Sequence, residues 1–461
     1  MMSAKTRVVI LGSGFGGLYA AARLEKTIGR RQEVEITVIN RENFFLFTPM
    51  LHEVAAGDVD VTHIVNPIRK MLKRGHFFDG EVERIDLAAR KVIAFHGLAE
   101  RHIHEIEYDH LVLALGSITN FYNLPGLSER ALTMKTLGDA IHLRNHLIEL
   151  LEEADFECCA DKRESLLTMV VAGAGFAGVE TIAAVNDFLR EALKSYRNLT
   201  EKMLRLVLIH PGALILPELG DKLGAYAQRK LAQRGVEIRV NTKVLSVAGS
   251  RIELSDGSSI MADTLVWTAG SSPNPLIASI ACEKTGGRVC VNENLEVAGS
   301  PGVWALGDCA MVPDRKCGGF CPPTAQHALR QGKVVADNIA ASITGGTRRP
   351  FNFKTVGQLA AIGRRTGVAR IFGVNFSGFI AWWLWRTIYL SKLPRLEKKI
   401  RVALDWTLDL FFPKEEVQFL TLRAPSMSTE EHADHFLNVG RGRDNCLPTP
   451  TVSTPGASSQ S

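Results

Sequence analysis

Two glycine-rich turns constrain this chain more than any other feature. The first lies in Val8-Val9-Ile10-Leu11-Gly12-Ser13-Gly14-Phe15-Gly16-Gly17-Leu18, the second in Met169-Val170-Val171-Ala172-Gly173-Ala174-Gly175-Phe176-Ala177-Gly178-Val179-Glu180. In each, a short apolar run ends in G-x-G-x-x-G and continues into a helix-compatible stretch. The first glycine permits a tight turn, the second lets backbone approach a phosphate with no Cβ in the way, and the third lets helix and strand pack closely. One such match is weak, because many glycine turns bind nothing. Two, each in strand–turn–helix context, predict two dinucleotide sites on an α/β fold of two Rossmann-like, doubly wound units.

The first unit reads as strand Arg7–Leu11, a helix from Phe15 to about Thr27, and strand Val34–Ile39. An Asp or Glu usually ends this strand and accepts from the ribose hydroxyls. Here Asn40 and Arg41 stand there, so the motif lacks its negative charge. Residues 77–110 alternate as a small β-meander, and Tyr108–Ser117 is a strand ending in a glycine turn at Gly116, a second approach to the first cofactor. Between them, Asn43–Gly57 is too aromatic and too punctuated for an ordinary surface loop. It reads either as a wall beside a cofactor ring or as a loop plugged into the core.

The second unit begins at Thr168, with a helix from Phe176 to about Ser195 and a strand Leu204–Ile209 that places His210 at the ribose position. A carboxylate there repels the 2′-phosphate of NADPH and His does not, so NADH and NADPH both stay open, with NADH ahead. A helix over 222–234 follows, then strands near Val236–Val240, Lys243–Ala248 and Arg251–Leu254, with Asp256-Gly257 as a hairpin turn. Asp263–Gly270 closes the unit in a glycine turn like that at Gly116. The chain then returns to the first unit through Pro301–Asp308, a buried strand ending in Gly307-Asp308. That carboxylate suits a sugar-like polyol; a plain Gly-Asp turn is the alternative.

The order G-x-G-x-x-G, A-L-G, G-x-G-x-x-G, T-A-G, L-G-D resembles the two-dinucleotide-binding-domain flavoproteins over residues 7–340. Within them, Phe47-Thr48-Pro49-Met50-Leu51, Gly178-Val179-Glu180, Pro322–Ala328 and Ala381–Leu390 are similar to the type II NADH dehydrogenases, over roughly residues 5–425. These are single-subunit NADH:quinone oxidoreductases that pump no protons. The resemblance implies FAD on Gly12, Gly14 and Gly17, with Phe15, Gly16, Asn40, Arg41, Thr48, Val82, Ala114 and Gly116 around it and Asp308 on its ribityl chain. It implies the nicotinamide nucleotide on Gly173, Gly175 and Gly178, with His210 and Gly270 beside it. It places Glu180 near nicotinamide and flavin, and Ala325-Gln326 near the isoalloxazine and the quinone. The family often has a second Gln four residues after the first. This chain has Arg330 there, with Gln331 next to it, so the quinone contacts depart from the pattern.

The implied chemistry is hydride transfer from nicotinamide to flavin, then two-electron reduction of a membrane quinone. Glu180 and Gln326 are the catalytic candidates. Glu180 keeps a proton in reach or orients substrates, or else is an acid favoured early in a helix. Gln326 donates to a quinone carbonyl and accepts from a quinol hydroxyl, or else bonds to backbone at a helix start. The eight cysteines have no regular spacing. Cys158-Cys159 read as structural thiols on a helix, and Cys309, Cys317 and Cys321 as loop cysteines without zinc-ligand spacing, so no metal is expected. They do raise a rival, a sulfide:quinone-type or other disulfide-reductase-like oxidoreductase, although the second glycine turn favours a nicotinamide donor. A flavin-bearing regulatory or binding protein is the alternative from another class.

Phe376–Leu393 looks wrong for a soluble enzyme, with Trp382, Trp383, Trp385 and Tyr389 close together. A spanning helix needs about 20 apolar residues, and Arg386 interrupts this run. Trp and Tyr prefer the headgroup layer. A basic patch follows at Lys392, Arg395, Lys398, Lys399 and Arg401, then an amphipathic stretch Ile400–Phe412 with Ile400, Ala403, Leu404, Thr407, Leu408 and Phe411 on one face. Residues 376–412 are therefore expected on a membrane surface. A dimer interface or a packed helical subdomain is the alternative. A net charge of +5 and the lack of a basic, aromatic-interleaved patch earlier in the chain argue against nucleic acid.

The expected organisation is a FAD domain over 1–166 and 283–345, an inserted NAD(P)H domain over 167–282, a C-terminal helical membrane-binding region over 346–430 and a disordered tail over 431–461. With no secretory signal read before the first strand, the expected place is the cytoplasmic face of the cell membrane, peripheral. A homodimer is implied by the resemblance alone.

Overall fold

The computed structural model describes residues 5–419 apart from 98, 99 and 317. The expected tail and Cys317 lie outside the described residues. The first sheet is parallel and five-stranded, in the order Val303–Ala305, His110–Leu113, Thr6–Leu11, Val34–Asn40, His76–Asp79. Its central strands are Val/Ile/Leu-rich because helices and loops cover both faces. Val9, at 2% exposure, sits between Thr37 on one side and Leu111 on the other. The chain does return to this sheet through Val303–Ala305, as the sequence suggests. Helix Phe15–Thr27 crosses helix Ala325–Thr344 closely, since a Cβ on Gly332 would run into the Gly16 carbonyl.

The second sheet is parallel and four-stranded, in the order Val236–Arg239, Arg205–Ile209, Thr168–Ala172, Thr264–Trp267. Helix Phe176–Ala192 packs on it and is buried over most of its surface, with Val179, Ile182, Val185, Phe188 and Leu189 in the core and Glu180, Thr181 and Asn186 buried beside them. The two sheets are stitched together by a short antiparallel pair, Ser117–Thr119 with Ser271–Pro273. Each strand of this pair directly follows one of the glycine turns at Gly116 and Gly270.

Three expectations need correcting. The meander is only Glu81–Asp86, Lys91–His96 and His102–Glu107. His76–Asp79 instead extends the first sheet in parallel, which is possible because residues 41–75 provide the long crossover that parallel pairing needs. The C-terminal region is not purely helical. A three-stranded antiparallel sheet, Gly357–Ala361, Gly367–Ile371 and Val374–Gly378, precedes helices Phe379–Lys392 and Leu396–Leu408. Its buried Leu359, Ala360, Val368 and Ala369 face the core, while tight turns at Gly363 and Gly373 take positive φ. Lys398 does not join a basic surface. It turns inward, and its ammonium donates to the Thr62 carbonyl at 2.7 Å. Among the described residues no helix is long and apolar enough to cross a membrane.

Candidate functional site

The two glycine turns are built alike. Gly12 and Gly173 hold φ of +96° and +107°, a region closed to most L-residues. A Cβ on Gly17 would run into the Gly12 carbonyl oxygen, and one on Gly178 into that of Gly173. A Cβ on Gly14 or Gly175 would meet no protein atom within 4 Å. The first and third glycines thus serve the fold, and the second leaves the helix N-terminus clear. Neither helix has a side-chain cap there. Uncapped N–H groups behind a smooth glycine face are a pyrophosphate cradle.

The side chain that ends the second strand works the same way in both units. The Ser13 N–H donates to Asn40 Oδ1 at 3.1 Å, and the Ala174 N–H donates to His210 Nδ1 at 3.3 Å. Burial lowers the His210 pKa, so the imidazole is neutral with its proton on Nε2. Arg41 is exposed and stands 3.9 Å from Glu42.

Around the first turn, Ala114 is so close that a Cβ on Gly12 would strike its carbonyl. Gly16 lies against Leu306 in the same way. Gly116, at φ +67°, has no protein atom within 4 Å of where a Cβ would go. Asp308 accepts from the Ser117 hydroxyl at 2.8 Å, and Lys135 donates to that hydroxyl at 2.9 Å. Gln331, named from the sequence only as the neighbour of Arg330, is buried and accepts the Gly307 N–H at 2.8 Å, fixing the turn that carries Asp308. Phe15 meets Phe45 edge-on at 5.0 Å and Phe47 at 5.8 Å, so the aromatic segment is a packed wall. Thr48 is exposed at its edge, and Val82 is buried in the small antiparallel sheet. Gly270, at φ +84°, lies against the Tyr122 ring.

Glu180, 7% exposed, sits two residues past the second turn. Its Oε1 accepts from the Trp385 indole at 2.9 Å and from the Ala361 N–H at 3.1 Å. His52 Nδ1 stands 3.9 Å from its other oxygen. Burial first, with Glu53 adding to it, pushes the Glu180 carboxyl up to about 8 against the two hydrogen bonds it accepts. Glu53, missed from sequence, is itself buried and pushed up to about 8 by desolvation, against the pull of Arg386 and the Trp406 N–H at 3.1 Å. His52 is held down at about 4 by burial and is a neutral imidazole. Nothing local in the sequence marks Glu53 and His52 except their place in the aromatic segment.

Gln326 lies in the first turn of helix Ala325–Thr344. Its amide donates to the Gly357 carbonyl at 3.1 Å, which leaves the side-chain oxygen for other use. Arg330 donates to the Gln326 carbonyl at 2.8 Å and stacks on Phe353 at 3.9 Å. Cys309 is buried, bonds to the Leu113 and Leu306 carbonyls, and has its thiol pushed up to about 11 by desolvation. It is no thiolate nucleophile. Cys158 and Cys159 are exposed in the connector between helices Leu137–Phe156 and Ala160–Leu166, rather than on a helix. The described residues contain no group of three acidic, His or Cys side chains placed to hold a metal.

Two strand–glycine turn–helix units in one chain define a class, and residues 6–332 match it: pyridine nucleotide-disulphide oxidoreductase. Residues 356–414 match the NDH2 C-terminal domain. A type II NADH:quinone oxidoreductase of Mycobacterium tuberculosis is 34% identical over 418 residues, covering 87% of each chain. The fold is that of NDH2 from Plasmodium falciparum, solved in complex with NADH, with a TM-score of 0.84 at 19% identity over 90% of this chain and 100% of that one. The sulfide:quinone oxidoreductase of Aquifex aeolicus superposes less well, at a TM-score of 0.66 and 18% identity over 88% of this chain and 95% of that one. The chain belongs to the type II NADH:quinone oxidoreductases, FAD enzymes that move electrons from NADH to quinone without pumping protons.

Proposed function

We propose how this chain's residues serve that activity. The unit built from 1–166 and 283–345 holds FAD, with its pyrophosphate on the N–H groups behind Gly14 and its ribityl chain on Asp308. The inserted unit 167–282 holds NADH behind Gly175. Bound FAD supplies the hydride acceptor and the two-electron donor. The protein aligns the two nucleotides through the strand pair that links Gly116 and Gly270, so the reacting rings share one site. Glu180 holds a proton for a quinone oxygen, and the free oxygen of Gln326 accepts from the quinol hydroxyl. The observation that carries this reading is a carboxyl only 7% exposed, two residues past the second glycine turn and held by Trp385 and the Ala361 N–H, where burial favours its protonated form. Trp385, which donates to it, begins an aromatic chain through the half-buried Tyr389 to the buried Phe47, with Tyr389 4.7 Å from Trp385 and 6.2 Å from Phe47.

The enzyme works on a membrane surface, at its cytoplasmic face, and as a homodimer. The membrane reading rests on the outer faces of the two C-terminal helices. Phe379, Ile380, Trp383, Ile400 and Leu404 are all more than half exposed, whereas Ala381, Trp385, Val402 and Trp406 on the opposite faces are buried. An exposed apolar stripe beside Lys392 and Arg401 suits a lipid interface.

The test is anaerobic mixing. NADH bleaches the flavin absorbance and a soluble quinone restores it, whereas bleaching by sulfide and not by NADH returns the rival. Flotation with anionic vesicles, lost in a triple Ile380→Ser, Trp383→Ser, Leu404→Ser variant, tests the docking face.

A further inference from the structure

Reducing a quinone to a quinol takes two electrons and two protons. Hydride loss from NADH brings both electrons and one proton. The other proton must come from water. A quinone entering from a bilayer has lipid on its own side, so that proton needs an inlet through the protein.

A cavity of about 50 Å³, room for a few waters, lies beside Glu180. Three separate stretches of chain wall it. Helix Phe176–Ala192 lends Glu180, Asp187 and Glu191 from one face. The helix after the aromatic wall and the turn behind it lend His52, Glu53 and Asp58. The C-terminal region lends Arg364, Arg386, Asp409 and Lys414.

The charged groups sort themselves within it. Arg364, with its side chain 47% exposed, stands 3.7 Å from Glu191 and marks where the cavity reaches the surface. Asp58 pairs with Lys414 at 2.6 Å, and Asp187 pairs with Arg234. Among the described residues no Lys or Arg makes such an ion pair with Glu53 or Glu180: each is held by an indole N–H, from Trp406 and Trp385, and those two rings lie 6.3 Å apart. His52 lines the same cavity, and among the described residues its buried Nε2 finds no hydrogen-bond partner. A buried polar atom without a partner beside a water-sized cavity is a place for an ordered water.

We propose that this cavity is the inlet for the second proton, and that Glu53 is a positioning residue that takes it from cavity water and keeps Glu180 supplied. The inference rests on the reading of Glu180 as the acid for the quinone. In each turnover Glu180 gives its O–H proton to a quinone oxygen. Glu53 restores that proton through the cavity water, and a proton from bulk water replaces the one that Glu53 gave. Neither carboxyl changes over a full cycle. Both acids are protonated near neutrality because burial raises them, and Arg386, stacked between Trp382 and Trp406 at 4.3 and 4.7 Å, draws Glu53 back toward release.

The test uses the holoenzyme with two acceptors. Ferricyanide takes electrons without protons, and a soluble quinone takes both. Glu53→Gln keeps the shape and still accepts from Trp406, yet carries no transferable proton. The expected result is a quinone-to-ferricyanide rate ratio lowered roughly tenfold or more, with a larger solvent deuterium isotope effect on the quinone rate. Ala184→Leu, which fills the cavity without altering a charge, lowers the same ratio. If Glu53→Gln keeps the wild-type ratio while Glu180→Gln lowers it, the inlet is overturned and the Glu180 reading stands. If Glu180→Gln also keeps the ratio, both fall. Equal loss with both acceptors in Glu53→Gln assigns Glu53 to the fold alone and likewise overturns the inlet.

Discussion

Trp385 donates its indole N–H to Glu180 at 2.9 Å, across 205 positions of chain. The bond ties the helix that carries the exposed Trp383 to the second turn of helix Phe176–Ala192. The same C-terminal helix therefore shows one face outward and holds the buried acid with the other. Trp385→Phe removes the donor and leaves a small void. The expected cost is about 1–3 kcal/mol of stability, read as a lower Tm. With one donor fewer, the Glu180 carboxyl rises further, so the alkaline limb of the quinone-reduction pH profile moves to higher pH. A profile that stays in place disproves the coupling.

Gly175 and Gly178 stand three residues apart and predict opposite outcomes. A Cβ at Gly178 strikes the Gly173 carbonyl and comes within 2.6 Å of Thr268 Oγ1. Gly178→Ala therefore destabilises the second unit itself. A Cβ at Gly175 meets only what the cradle binds. Gly175→Ala folds, keeps its stability to within about 0.5 kcal/mol and remains yellow. Its KM for NADH rises roughly tenfold, about 1.4 kcal/mol of lost binding. Thermal melts and flavin content beside NADH titration separate the two.

What the chain revealed beforehand follows from how local each constraint is. A glycine turn is settled by six residues, so both strand–turn–helix units, the turns at Gly116 and Gly270, and the return through Val303–Ala305 were legible. The burial of Glu180 was legible because it lies two residues past such a turn. Glu53 was not, because its burial comes from Trp406, 353 positions away. Lys398 looked like surface charge and is turned inward by Thr62, a contact made by tertiary packing alone. The C-terminal sheet escaped notice because its strands are five residues each, too short for alternation to stand out beside the Trp-rich helix.

Stability against pH follows from the same buried groups. Glu53 and Glu180 bind protons up to about pH 8 when folded, against an ordinary value of 4.5. Between those values the folded state holds more protons than the unfolded chain. Their contribution is complete below about 4.5 and drains as pH rises toward 8. His52 runs the other way: its folded value of about 4 lies below 6.5, so its contribution is lost as pH falls through that window. The carboxyls act alone above 6.5, and Tm falls from there to about pH 8. The double variant Glu53→Gln, Glu180→Gln flattens that fall. A slope unchanged by both substitutions shows that other groups set it.

Nucleotide choice turns on a single imidazole. His210 stands where an acid would hold the ribose hydroxyls, and its Nδ1 already accepts from the Ala174 N–H at 3.3 Å. The remaining nitrogen carries a proton, so the group offered outward is a donor. A donor accepts a ribose hydroxyl or a 2′-phosphate as partner, whereas a carboxylate repels the phosphate. The wild-type enzyme is therefore expected to oxidise NADPH as well as NADH. His210→Asp restores the negative charge and lowers kcat/KM for NADPH roughly tenfold or more, while the NADH value holds or improves, since a carboxylate also accepts from the two hydroxyls. Steady-state rates with the two nucleotides, taken on wild type and variant in one buffer, give the ratio directly. Equal losses with both nucleotides would mean that His210 holds only the turn at Ala174 and does not sort the cofactors.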